Sequence, residues 1–144
     1  MKIQKTTIMK AFITLSLVVI SNIAIAQKTS DIPLAVRQAF AKQYTDPKDI
    51  KWEKEKDNYE VSFVYHRDHM SAVYSADGHK VETETKIAID NLPDAARKYA
   101  TAKGKIKEAA RIMKADGSIM YEAEVDGIDL LFDKAGTFVS QSKD

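Results

Sequence analysis

The strongest constraint on this chain is that it says nearly the same thing twice. Ile32-Pro33 opens an amphipathic helical stretch, followed by four short alternating runs joined by tight turns. Leu92-Pro93 opens the same series again. An internal repeat dictates architecture ahead of any single motif. We read repeat one as 31–89 and repeat two as 90–142.

In the first repeat Ile32, Ala35, Val36, Ala39, Phe40 and Tyr44 recur at helical spacing. Pro33 suits the first helical turn, where its missing N–H is not needed. Asp46-Pro47 ends the element. Ile50 to Lys56, with Trp52, forms the first run, and Asp57-Asn58 turns the chain. Tyr59, Val61, Phe63 and Tyr65 then alternate with Glu60, Ser62, Val64 and His66, the period of a strand with one dry face. A turn is expected over His66 to His69. Met70, Ala72 and Tyr74 make a third run, Ser75 to Gly78 a turn with glycine at positive φ, and Val81 to Ile87 a fourth run.

In the second repeat Leu92, Ala95, Ala96, Tyr99 and Ala100 form the helical stripe and Gly104 a C-cap. Runs follow at Ile106 to Lys114, Ile119 to Val125, Ile128 to Phe132 and Thr137 to Gln141. Asp126-Gly127 is a strong two-residue hairpin signal. The expected fold class is α+β: tandem helix-plus-four-stranded antiparallel meander units, with the helices packed on one face of the sheet.

Residues 1–26 read as an export signal: Lys2, Lys5 and Lys10, an apolar stretch from Ala11 to Ile20, then Ala24-Ile25-Ala26 before Gln27. Cleavage would leave 27–144 as one domain without a membrane anchor, in the periplasm or secreted. Three lysines leave with the signal. Lys+Arg falls from 22 to 19 against 21 Asp+Glu, and the formal charge moves from +1 to −2. A near-neutral chain of interspersed charge argues against nucleic acid as a partner. The chain has no cysteine, which removes disulfides, thiolate metal sites and cysteine nucleophiles.

Several motifs together resemble the PepSY-like, beta-lactamase-inhibitor-like family of small exported bacterial proteins. They are the Ile-Pro-x-x-Val helix start at 32–36, Trp52, the Tyr-x-Val-x-Phe run at 59–63, and Tyr74-Ser75-x-Asp77-Gly78 before Val81-x-Thr83-x-Thr85. The second copy keeps Leu92-Pro93-x-Ala95 and Asp133-x-x-Gly136. The resemblance spans residues 31–142. It implies export from a Gram-negative cell, tandem helix-plus-sheet units, and a concave sheet surface of the kind on which relatives hold a beta-lactamase loop. No inhibitory contact motif can be matched, so no inhibitor residues are carried over. The missing cysteines also depart from the disulfide-bearing inhibitors.

The chain shows no catalytic set. No serine sits in a nucleophile-elbow context and no glycine-rich phosphate loop is present. His66 and His69 are weak metal candidates, with Glu82 or Glu84 as oxygen donors, but no further ligand is set by spacing. Glu60, Glu82 and Glu84, like Glu122 and Glu124, fall on the wet phase of their strands and read as a solvated face. Val64, Val73, Met120, Leu131 and Phe138 fall on the same phase, where apolar residues can mark a partner site. The candidate partner-binding residues are therefore Val64, Val73, Met120, Leu131, Glu82 and Glu84. The function expected is non-enzymatic: a module gripping an envelope protein or peptide on an open sheet face, without a cofactor. The alternative is a small-molecule or metal-sensing periplasmic domain.

Overall fold

A computed structural model describes residues 28–143; the export signal read at 1–26 lies outside them. Helix α1 (Leu34–Gln43) leads into strands β1 (Lys48–Glu55), β2 (Asn58–Tyr65), β3 (Asp68–Ser75) and β4 (Lys80–Lys86). Helix α2 (Asp94–Lys103) leads into β5 (Ile106–Lys114), β6 (Ile119–Val125), β7 (Ile128–Asp133) and β8 (Phe138–Lys143). A short 3-10 turn precedes each helix, at Thr29–Asp31 and Ile89–Asn91. All eight strands form one antiparallel sheet in chain order, and β4 pairs with β5 across the α2 connection. The fold class is α+β, as expected.

The period-two alternation sends one side of every strand toward the helices. Val36 and Phe40 of α1 pack with Trp52, Val61, Phe63, Ala72 and Tyr74, all buried. Ring centroids of Phe40 lie 5.3 Å from Trp52 and 5.0 Å from Phe63, both edge-on, a favoured arrangement for aromatic quadrupoles. A second core gathers Ala96 and Ala100 of α2 with Ala109, Ala123, Val125, Leu130 and Phe132. Where α1 presents Val36 and Phe40, α2 presents alanines, and its Cα atoms approach those of β6 within 8 Å. One row, Phe63–Met70–Thr85–Arg111–Tyr121–Phe132, runs across β2 to β7, so both cores lie on the same face of the sheet.

Several local expectations shift. Pro33 and Pro93 stand at the cap, one residue before each helix, and their carbonyls accept the N–H groups of Arg37 and Arg97 at 3.1 and 2.9 Å. The β1–β2 turn lies at Lys56 and Asp57, one residue early. The β2–β3 turn is only His66-Arg67, at φ of 52° and 78°, and Asp68 and His69 already belong to β3. Phe138 does not fall on the wet side. A register shift before Phe132 places it opposite Phe138, whose ring stacks on Tyr99 at 4.8 Å. The turn glycines lie against the helix starts. A Cβ on Gly78 would sit 2.7 Å from the Ala35 carbonyl oxygen, and one on Gly136 would sit 2.8 Å from the Ala96 nitrogen. Each also has positive φ, 88° and 86°, so only glycine fits both the turn and the close approach.

Candidate functional site: a concave acidic face

The face turned away from the helices carries the other phase of every strand. Its rows follow from the register. Glu60 pairs with Val73, Val73 with Glu82, and Glu82 with Lys114. One row along, Ser62, Ser71, Glu84, Ile112 and Met120 stand side by side on β2 to β6. In a third row Lys86, Ala110, Glu122 and Leu131 cross β4 to β7.

Among the described residues no helix covers this face, yet Glu82 and Glu84 are only 3% and 4% exposed. Glu60, Ser71, Val73, Leu131 and Asp129 are also buried. The sheet buries them by curling. Strands β1 and β5 are four spacings apart, about 19 Å in a flat sheet. Nonetheless Lys51 and Glu53 of β1 line one groove with Glu84, Lys86 and Glu108. That groove encloses about 730 Å³, and Val64, His69 and Ser71 also line it. A small cavity of about 20 Å³ shares Glu84, Lys86 and Glu108 with it and is also lined by Glu122 and Asp129.

The expectation of a solvated acidic face is thereby corrected. Glu84 and Glu82 are desolvated, and Val73 and Leu131 are buried rather than displayed. Val64 and Met120 remain half-buried, and Val64 reaches the groove. Lys114 pairs with the buried Glu82 carboxylate. Lys86 Nζ lies 2.6 Å from Glu108 Oε1, and Lys107 Nζ 3.6 Å from Glu124 Oε1. No such pair engages Glu84 or Glu60 among the described residues, and Glu84 Oε2 and Glu60 Oε1 have no hydrogen-bond partner.

Burial and neighbouring charge act together on these two carboxyls. Burial first, then repulsion from Glu60, Glu82, Asp129 and Glu108, pushes Glu84 up to about 8. Burial pushes Glu60 up to about 7; the Ser71 hydroxyl opposes this, while Glu55, Glu53 and Glu82 add to it. Near neutral pH Glu60 and Glu84 are therefore divided between protonated and ionised forms.

The histidine candidates do not assemble. His66 is exposed in its turn with its ring against Tyr65, and His69 is exposed on β3 opposite Val64. Glu82 pairs with Val73, four residues along β3 from His69, about 13 Å in an extended strand. Among the described residues no three His, Asp or Glu side chains converge as a metal would require. Sequence reasoning missed Ser71, Glu108, Lys114 and Asp129 as members of this face. The alternation Ile128-Asp129-Leu130 could have placed Asp129 there.

The fold matches several solved structures. A protein from Bacteroides eggerthii described as periplasmic superposes with a TM-score of 0.67 at 20% identity, over 77% of this chain and 88% of that one. A DUF2874 family protein from Bacteroides uniformis gives 0.64 at 16% identity, over 77% and 88%. A BLIP-like protein from Bacteroides fragilis gives 0.57 at 20% identity, over 76% and 84%. At these identities the likeness is one of fold. Among curated proteins none matches the chain. The model of the PepSY-like, beta-lactamase-inhibitor-like family matches twice, over residues 19–68 and 62–140. Those two stretches do not coincide with the repeats at 31–89 and 90–142, but together they take in most of the sequence. The chain belongs to the PepSY-like family.

Proposed function

We propose that this chain is an exported, non-enzymatic binding module that grips an envelope protein or peptide on its concave face. The observation that carries this reading is the groove of about 730 Å³ on the side opposite both helices, lined by strands β1 to β5. Its size lies within the range of about 300–1,000 Å³ usual for binding clefts. Val64 and Glu84 would be direct contacts. Val73, Leu131 and Glu82 would shape the floor beneath them, and Met120 would extend the surface onto β6.

The periplasm is the proposed address. The export signal read at 1–26 supports it, and so does a fold relative described as periplasmic. Among the described residues no helix is long and apolar enough to cross a membrane. We read the order of one helix and four strands, then one helix and four strands, as a duplication with its joint at β4 and β5. The groove reaches that joint through Glu84 and Glu108, which suits a surface built by both copies. The beta-lactamase-inhibitor-like character of the family favours a protein partner.

A photo-crosslinking residue at Val64, with one at Leu34 on the exposed side of α1 as control, tests the reading in the periplasm. A defined partner captured through Val64 and not through Leu34 is the expected result. Capture through Leu34 alone would place binding on the helical side. A second reading, a small-molecule-sensing domain, rests on the same groove volume. A metabolite that raises the melting temperature and blocks the Val64 cross-link would favour it.

A further inference from the structure

The concave face specifies the chemistry of what it holds, given the binding reading above. We propose that the groove takes a lysine or arginine side chain of the partner polypeptide, with its cationic head seated against the Glu84 carboxylate.

The argument begins with an orphan. Glu84 is 4% exposed, its Oε2 has no hydrogen-bond partner, and it lines both the groove and the small cavity beside it. A buried carboxylate without a cation or donors is costly, and natural folds rarely keep one without a use. Among the described residues three lysines of this region pair with other carboxylates, Lys114 with Glu82, Lys86 with Glu108 and Lys107 with Glu124, and Lys51 of β1 lines the groove without a salt bridge to Glu84. Among the described residues Glu84 and Glu60 have no ion pair of their own.

The rest of the groove suits a side chain more than a bare ion. Ile50 and Val64 supply apolar lining to the same groove. A lysine or arginine stem packs on such a surface while its head reaches a charged end. A divalent cation would need several oxygens converging at once, and no three ligating side chains do so among the described residues. The desolvation of Glu84 is already part of the folded state, so an arriving cation restores a pairing that the apo protein lacks.

Proton release follows. The charged groups around Glu84 are Asp49, Lys51 and Glu53 from β1, Glu60 from β2, Glu82 and Lys86 from β4, Glu108 from β5, Glu122 and Glu124 from β6 and Asp129 from β7. From β3 come only the Ser71 hydroxyl and, at the groove rim, His69. Burial first, and then the excess of carboxylates over cations in this set, holds protons on Glu84 and Glu60. A cation in the groove reverses the local field and drives those protons off.

The test is calorimetric titration of the purified protein with acetyl-Gly-Ser-Arg-Ser-Gly-amide and with its citrulline counterpart, in buffers of different ionisation enthalpy near about pH 7.5. The arginine peptide is expected to bind at least about tenfold more tightly and to release protons. Glu84→Gln should lower its affinity at least about tenfold and abolish much of the release. Glu84→Asp, which keeps the charge with a shorter reach, should fall between, and Asp94→Asn on α2 should change nothing. Equal affinity for the two peptides would overturn the proposal while leaving a peptide-binding face in place. Failure of both to bind, with the Val64 cross-link intact, would also overturn it, as would calcium binding that Glu84→Gln abolishes and the arginine peptide does not displace. Loss of the Val64 cross-link itself would instead strike at the binding reading.

Discussion

Lys86 on β4 places its Nζ 2.6 Å from Glu108 Oε1 on β5, across the same strand pair where Lys114 meets Glu82. Both pairs tie the first four strands to the last four, but they differ in burial. The side chains of Lys86 and Glu108 are 47% and 35% exposed, whereas that of Glu82 is 4% exposed. Lys86→Ala should therefore cost less than about 1 kcal/mol. Lys114→Ala strands a buried carboxylate and should cost about 3 kcal/mol or more. Urea unfolding of both variants checks the contrast; equal losses would refute it.

Stability should fall as pH rises through neutrality. Glu60 and Glu84 titrate at about 7 and about 8 in the folded protein, against 4.5 for an ordinary glutamate. Between those values the folded state holds protons that the unfolded chain has released, so raising pH favours unfolding. This contribution to stability is whole below about pH 4.5, is lost progressively through about pH 8, and is on the order of a few kcal/mol. The lowered carboxyls Asp77, Asp116 and Asp133 act in the opposite sense, but only at acid pH. Melting temperature should drop from about pH 5 to about pH 9, and Glu84→Gln should flatten that slope. A melting temperature that climbs with pH over this range would contradict the assignment.

The first core should depend on one ring. Phe40 touches Tyr44, Trp52 and Phe63 with centroids 5.0 to 5.3 Å away. Phe40→Ala should cost about 3–5 kcal/mol. Leu34 on the same helix is 60% exposed, and Leu34→Ala should stay within about 0.5 kcal/mol. Denaturant midpoints of the two variants measure the difference.

Turn glycines should rank by what surrounds them. Gly78→Ala meets both positive φ and the Ala35 carbonyl oxygen at 2.7 Å, and should cost about 2–3 kcal/mol. Gly117 has φ of 81° with open space around it, so Gly117→Ala should cost only about 1 kcal/mol. Similar losses at the two sites would show that the approach of the β3–β4 turn to α1 carries no weight.

Much of the architecture was legible because it is local. Pro33 and Pro93, the helical stripes, the period-two runs and Asp126-Gly127 each act over a few residues. They predicted both helices and all eight strands, with boundaries off by a residue or two, as at the start of β1, the β1–β2 and β2–β3 turns and the ends of β8. Phe138 was misplaced because a one-residue register shift reverses facing, and alternation alone cannot count a bulge.

The candidate site was legible only as a set of residues sharing a phase. The sequence by itself determined that Glu60, Glu82, Glu84, Val64 and Val73 face away from the helices, since side-chain direction along a strand has a period of two. Only the tertiary structure decided that this face is concave. Its curl brings β1 within reach of β5 and buries Glu84 between Glu60, Glu108 and Asp129. Burial and charge repulsion depend on neighbours contributed by strands far apart in the chain. No local pattern records them, and they turn an apparently solvated acidic stripe into desolvated carboxyls at the floor of a groove.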